Sequence, residues 1–156
     1  MRIGIGYDIH KLDYGRKFVL GGIIIPHDKG MIGHSDGDPL IHSIIDALLG
    51  AASMGNIGIY FPDNDPQYKD ISSVELLKRT MEIIKGFKIL NIDSVIICEE
   101  PRLNQYLDEI KRNLSKYLFI PENAISIKPK RKEGMDATGR KEAVEVFTIC
   151  LIEEVK

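Results

Sequence analysis

The chain has 156 residues, 44% hydrophobic and 28% charged, the size and make-up of one globular domain that can bury its own core. A formal net charge of −2 excludes a global pull toward nucleic acid or an anionic membrane surface, and no apolar run reaches the about 18 residues that a bilayer span needs. Cys98 and Cys150 sit inside apolar runs and read as free thiols in a reducing compartment, so a single cytoplasmic domain over residues 1–156 is expected.

In chain order, "RIGIGYDIH" alternates with period two and predicts a first strand, and "KFVLGGIIIP" predicts two short strands broken at Gly21-Gly22. In "DPLIHSIIDALLGAASMG" the positions Leu40, Ile41, Ile44, Ile45, Leu48, Leu49 and Ala52 form a helical stripe. Asp38 is its N-cap, Pro39 its first residue and Gly55 its stop. "SSVELLKRTMEIIKG" predicts a second helix, from Ser72 or Ser73 to Gly86. "DSVIICEE" follows as a buried strand, "RLNQYLDEIKRNLSKYL" as a third helix, and "AISIK" and "AVEVFTICLIEE" as the last strands. This alternation predicts an α/β fold: a mixed sheet of the α+β type with helices packed on one face.

Asp8 and His10 lie two apart in a strand, so both side chains leave the same face of the sheet. Alone, the pair is either half of a metal site or a turn aspartate beside a surface histidine. The four histidines, His10, His27, His34 and His42, all fall within the first 42 residues, which favours the metal. On a helix starting at Asp38, His42 shares a polar face with Asp38 and Asp46 at the margin of the core. If strand and helix pack together, Asp8, His10 and His42 converge as one carboxylate and two imidazoles. That is the form of a catalytic Zn²⁺ site with an open fourth position. Asp46, one turn along, is then placed to hold the second ring nitrogen of His42.

Two further stretches carry chemistry. "GNIGIYFPDNDP" is either a capped turn with Asp63 and Asp65 solvated, or a loop whose Gly58 N–H and Asp63 carboxylate hold a polyhydroxylated substrate. "IKPKRKEGMDATGRK" is either a solvated basic loop or an anion site, where Lys130, Arg131, Lys132 and Glu133 would suit a diphosphate with a second divalent ion.

"MRIGIGYDIHKL", "GGIIIPHDKGMIGHSDGDPLIHSIIDALLGAASMGNIG" and "FPDNDP" closely resemble the opening of the 2-C-methyl-D-erythritol 2,4-cyclodiphosphate synthase family. The likeness is nearly continuous over residues 1–66 and extends to the C-terminus. It implies a homotrimer with active sites at the subunit interfaces, each built from two chains. It assigns Zn²⁺ or another divalent cation to Asp8, His10 and His42, with Asp8 and His10 also touching substrate. His34 and Ser35 would contact the substrate phosphates, and Asn56, Ile57, Gly58, Phe61, Pro62, Asp63, Asn64 and Asp65 its sugar-like part. Cys98, Pro101, Arg102, Leu103 and Asn104 would form a cytidine pocket with Lys130, Arg131, Lys132 and Glu133. Glu133 would bind Mg²⁺ or Mn²⁺ with the diphosphate.

The reaction implied is an intramolecular phosphoryl transfer on a CDP-linked substrate that expels CMP, with His34, Arg131 and Glu133 as the catalytic set. It needs no protein nucleophile and no organic cofactor. This chain departs from the family pattern at three places: Asn56 stands for an aspartate, Lys130-Arg131-Lys132 for a threonine-rich stretch, and Ala137 for an aromatic that, with Arg140, lines a central cavity. The residues alone also suit a metal-dependent phosphohydrolase, a paralogue with another nucleotide substrate, or a non-catalytic metal- or nucleotide-binding module.

Overall fold

In the computed structural model, which describes residues 1–156, the alternation of the first segment continues into a strand of 13 residues, β1 (Arg2–Tyr14). Gly4, Gly6, Asp8 and His10 point inward, while Ile3, Ile5, Tyr7 and Ile9 are exposed on the other face. β1 pairs antiparallel with β7 (Ala143–Glu154), from Arg2 opposite Ile152 to Lys11 opposite Ala143. β7 pairs antiparallel with β5 (Phe87–Ile97), and β5 runs parallel to β6 (Ile125–Lys130). β4 (Lys29–Met31) closes the far edge of β1, giving a mixed sheet of order β4-β1-β7-β5-β6.

β2 (Phe18–Leu20) and β3 (Ile23–Ile25) form a separate hairpin. Its two-residue turn is Gly21-Gly22, at φ 60° and 78°, the left-handed pair that matches the twist of the flanking strands.

Helix α1 (Pro39–Ala51) lies over β1 and β7. Its N-cap Asp38 is fully buried, and the carboxylate accepts the backbone N–H groups of Gly21 (3.1 Å), Gly22 (2.7 Å) and Ile41 (3.0 Å). One side chain therefore caps the helix and ties it to the hairpin turn. The short helix α2 (Ile57–Tyr60) follows, then α3 (Ser73–Ile83), α4 (Leu107–Leu118) and the short α5 (Asp136–Gly139). α3 packs beside α1 and α4, and α4 lies over β6. α1, α3 and α4 cover one face of the sheet, and the core between is built from α1 and the inward residues Ile92, Ile96, Val144, Val146 and Ile152. Beneath α1 a buried hydroxyl chain crosses the sheet, Ser43 Oγ to Thr148 Oγ1 (2.7 Å) to Ser94 Oγ (2.8 Å).

Several boundaries differ from those expected. β4 and the short helices α2 and α5 lie in stretches without apolar periodicity. α1 ends at Ala51 rather than near Gly55, and β5 starts at Phe87, ahead of "DSVIICEE", with a bulge between Ile89 and Asn91. α4 begins only at Leu107, because Asn104–Tyr106 form a tighter 3-10 turn before it.

The close fit of α1 on β1 depends on two glycines. A β-carbon at Gly4 would lie 2.0 Å from the Ala47 carbonyl oxygen, and one at Gly6 would lie 1.9 Å from that of Ser43. Gly6→Ala is therefore expected to destabilise the fold by about 3 kcal/mol, the upper end of ordinary overpacking, because the obstructing atom is backbone. Urea denaturation checks this, and an unchanged midpoint would show that the helix can lift without loss.

Candidate metal centre and substrate cleft

β1 presents Asp8 and His10 side by side, and His42 descends on them from the second turn of α1. His10 Nδ1 lies 2.8 Å and His42 Nδ1 3.4 Å from the same atom, Asp8 Oδ2, and the two imidazole centroids are 5.2 Å apart. One ligand atom from each residue lies within 4.8 Å of the others. Asp8 Oδ2 and His10 Nδ1 are both sealed from water, yet neither has an aligned hydrogen-bond partner. Buried polar atoms left in this way are costly, and a divalent cation held among the three residues removes that cost for both. Burial pushes the Asp8 carboxyl up, but the imidazoles of His10 and His42 more than offset it, so its pKa stands below the ordinary value. Burial likewise opposes a charged His42, and Asp8 beside it, with Asp38 and Asp36 behind, carries its pKa above the ordinary value.

The other ring nitrogen of His42 does not meet Asp46 as expected. His42 Nε2 lies 2.8 Å from Ser73 Oγ and 3.2 Å from Ser35 Oγ, whereas Asp46 Oδ1 accepts the Ile57 N–H at 2.7 Å. A side chain one turn further along the helix reaches the segment after α1 more readily than it reaches back across the imidazole.

The three residues line a cleft of about 570 Å³ whose walls include His34, Ser35, Ile57, Gly58, Phe61, Pro62, Asp63 and Asn64. His34 Nε2 donates to the Asp65 carbonyl at 2.9 Å, which binds the 33–37 loop to the loop opposite. Ser35 is buried, and its hydroxyl accepts the Gly37 N–H at 3.2 Å. Asn56 caps α2 through the Ile59 N–H (3.3 Å), and the Asp65 carboxylate caps the next turn through Gln67 (3.0 Å). These two adjoin the cleft without lining it. The "GNIGIYFPDNDP" segment is thus a capped turn and a cleft wall at once.

A second, smaller cleft of about 160 Å³ brings Cys98, Pro101, Arg102, Leu103 and Asn104 together with Pro129, Lys130 and Arg131. It shares no residue with the first. Its organiser is a residue the sequence reading did not single out. Glu99, with its side chain only 4% exposed, accepts Arg131 Nη2 at 3.1 Å and the Lys132 backbone N–H at 2.9 Å. The signal available was an acid at the end of a buried strand facing a basic loop. Burial pushes the Cys98 thiol up to about 12, so it stays protonated and donates to the Glu100 carbonyl at 3.2 Å.

Besides Asn56 and Asp65, four expected site residues line neither cleft. Lys132 is held by Glu145 (3.0 Å) and by Asp136, and Arg140 pairs with Glu142 at 3.1 Å. Glu133 is exposed at φ 52° and has no partner, and Ala137 is half-buried in α5.

Glu145 also accepts Thr138 Oγ1 (2.6 Å) and Tyr7 Oη (2.9 Å). Burial raises its pKa, but Thr138, Lys132 and Tyr7 outweigh that and hold it below the ordinary 4.5. A depressed carboxyl pKa stabilises the fold fully above the unfolded value and is lost as pH falls through the folded one. Glu145→Gln is therefore expected to lower stability by about 1 kcal/mol at neutral pH, with the gap to the wild type closing in acid, below the ordinary carboxyl range. Thermal melts at neutral and acid pH check this, and a gap that did not shrink would contradict it.

A model of the YgbB family matches residues 1–153. A 2-C-methyl-D-erythritol 2,4-cyclodiphosphate synthase of Clostridium botulinum is 47% identical over 155 residues, covering 98% of this chain and all of the relative. A solved 2C-methyl-D-erythritol-2,4-cyclodiphosphate synthase in its CDP-bound form superposes with a TM-score of 0.90 at 34% identity, over 97% of this chain and 100% of that one. The bifunctional IspDF of Campylobacter jejuni superposes with a TM-score of 0.95 at 34% identity over 99% of this chain, which spans 42% of that longer protein.

Proposed function

Because the chain belongs to the YgbB family, we infer that it is a cyclodiphosphate-forming lyase of isoprenoid precursor biosynthesis. It converts 4-diphosphocytidyl-2-C-methyl-D-erythritol 2-phosphate into 2-C-methyl-D-erythritol 2,4-cyclodiphosphate and CMP, and residues 1–156 form the one domain that does so. The observation that carries the reading is the convergence of Asp8, His10 and His42, with two orphaned buried atoms, in a cleft walled by His34 and Ser35.

An oxygen of the 2-phosphate bonds to the β-phosphorus, the bond from that phosphorus to the CMP oxygen breaks, and CMP leaves with the electron pair. Asp8, His10 and His42 would hold Zn²⁺ or another divalent cation, which when bound withdraws charge from the phosphoryl oxygens. His34, fixed by the Asp65 carbonyl, and Ser35 bring the 33–37 loop against the phosphates. Gly58, Asp63 and their neighbours orient the methylerythritol part, which sets the attack in line. Arg131, aimed by Glu99, supplies positive charge toward the diphosphate beside the cytidine pocket. Glu133, exposed and unpaired, would hold Mg²⁺ or Mn²⁺ together with the diphosphate oxygens.

The two clefts share no residue, and one substrate must touch both. The reading therefore has each site assembled from two copies in a homotrimer. The uncovered sheet face supports it: Ile3, Ile5, Tyr7, Ile9, Phe147 and Ile149 form an exposed apolar patch, with the Tyr7 and Phe147 ring centroids 4.8 Å apart at a tilt of 48°. Sedimentation is expected to give a trimer for the wild type and smaller species for Ile5→Glu, and a monomeric wild type would refute the shared site.

Phosphorus NMR of the protein with the CDP-linked substrate, Zn²⁺ and Mg²⁺ is expected to show the cyclic diphosphate and CMP appearing together. Linear phosphate products alone would assign hydrolysis instead. His42→Ala is expected to lose bound zinc and to slow turnover about a thousandfold, several kcal/mol of transition-state stabilisation, while remaining folded. Unchanged turnover would refute the metal assignment.

A further inference from the structure

We propose that Ser73 is a positioning residue for the metal centre: it links the Asp36 carboxylate to His42 and dictates which ring nitrogen of His42 is free to bind the cation. The proposal rests on the reading that Asp8, His10 and His42 hold a divalent ion.

Ser73 is the first residue of α3 and is fully buried. Its hydroxyl donates to Asp36 Oδ1, and its backbone N–H donates to Asp36 Oδ2 at 3.0 Å. Asp36 Oδ1 also accepts the Asp38 N–H at 3.2 Å, so this carboxylate is held from both helix starts. A serine hydroxyl has one proton. With that proton committed to Asp36, Ser73 Oγ acts only as an acceptor toward His42 Nε2, 2.8 Å away. Nε2 must then carry the ring hydrogen, and Nδ1 is left with its lone pair facing Asp8 and His10. This arrangement is a carboxylate–histidine–metal triad with a hydroxyl inserted.

Ser35 makes the assignment consequential. Its hydroxyl lies 3.2 Å from the same Nε2 and accepts the Gly37 N–H, so its own proton is free to point at Nε2. Without Ser73 Oγ, the Ser35 hydroxyl donates to Nε2, the ring hydrogen moves to Nδ1, and Nδ1–H turns onto Asp8. A cation arriving at the centre would then have to displace a proton. Ser73 thus holds in the binding form a histidine that its other neighbour would reverse.

The test uses the full chain with histidine labelled with ¹⁵N. In metal-free wild type, at alkaline pH where the ring is neutral, His42 is expected to show the Nε2–H tautomer, and in Ser73→Ala a shift toward Nδ1–H. Competition against a chromophoric chelator is expected to show zinc binding weakened about 10- to 100-fold in Ser73→Ala, restored in Ser73→Thr, with little change in melting temperature. A wild-type Nδ1–H tautomer, or wild-type zinc affinity in Ser73→Ala, overturns the proposal. If Ser73→Ala does not fold, the wild-type tautomer still decides. A wild type that binds no zinc overturns the metal reading itself, a failure distinct from that of Ser73 alone.

Discussion

Helix α1 lies against the sheet at a separation that only hydrogen at the side-chain positions of residues 4 and 6 permits. Much else in the molecule follows from that distance. It lets a side chain of imidazole length, one turn into the helix, reach strand residues two and four positions beyond Gly6. It also seals Asp8 Oδ2 and His10 Nδ1 from water, so that the candidate ligands meet in a medium where an electrostatic interaction is strong. A wider gap would admit water, let each ligand find its own solvent partner, and weaken the reason for the three to act together.

The loops are fixed by a different device. Asp38 and Glu99 are buried carboxylates whose oxygens meet backbone N–H groups and, for Glu99, one guanidinium. A buried acid without such partners is strongly destabilising, so each behaves as a lock that holds only when the loop is in place. Asp38 locks the β2–β3 turn to the start of α1, and Glu99 locks the basic loop to the end of β5. The loop that Glu99 holds carries Arg131, the charge proposed to face the diphosphate.

The pattern of strands and helices was legible because apolar periodicity survives in any sequence that buries one face. The cluster of Asp8, His10 and His42 was legible for the same reason: a spacing of two on a strand and a capped helix start together determine where the three residues point. Ser73 and Glu99 were not. Each acts on a residue about 30 positions away, and nothing in the local pattern distinguishes a helix-opening serine that meets an imidazole from one that meets water. Asp46 shows the converse. Its spacing from His42 was right for contact, but a backbone N–H at Ile57 offered it a nearer partner. The short β4 lay hidden because Lys29-Gly30-Met31 has no strand composition and is paired only because β1 runs past it.

β1 serves two masters by alternation. Gly4, Gly6, Asp8 and His10 belong to the helix and the candidate metal centre, and Ile3, Ile5, Tyr7 and Ile9 to the open face proposed to meet neighbouring copies. Insertion or loss of a single residue would exchange the two sets, placing isoleucines where only glycine fits and carboxylate where apolar surface is needed. The segment can accept substitution but not a change of length. In a lineage, its residue count should outlast the identity of almost any residue it contains.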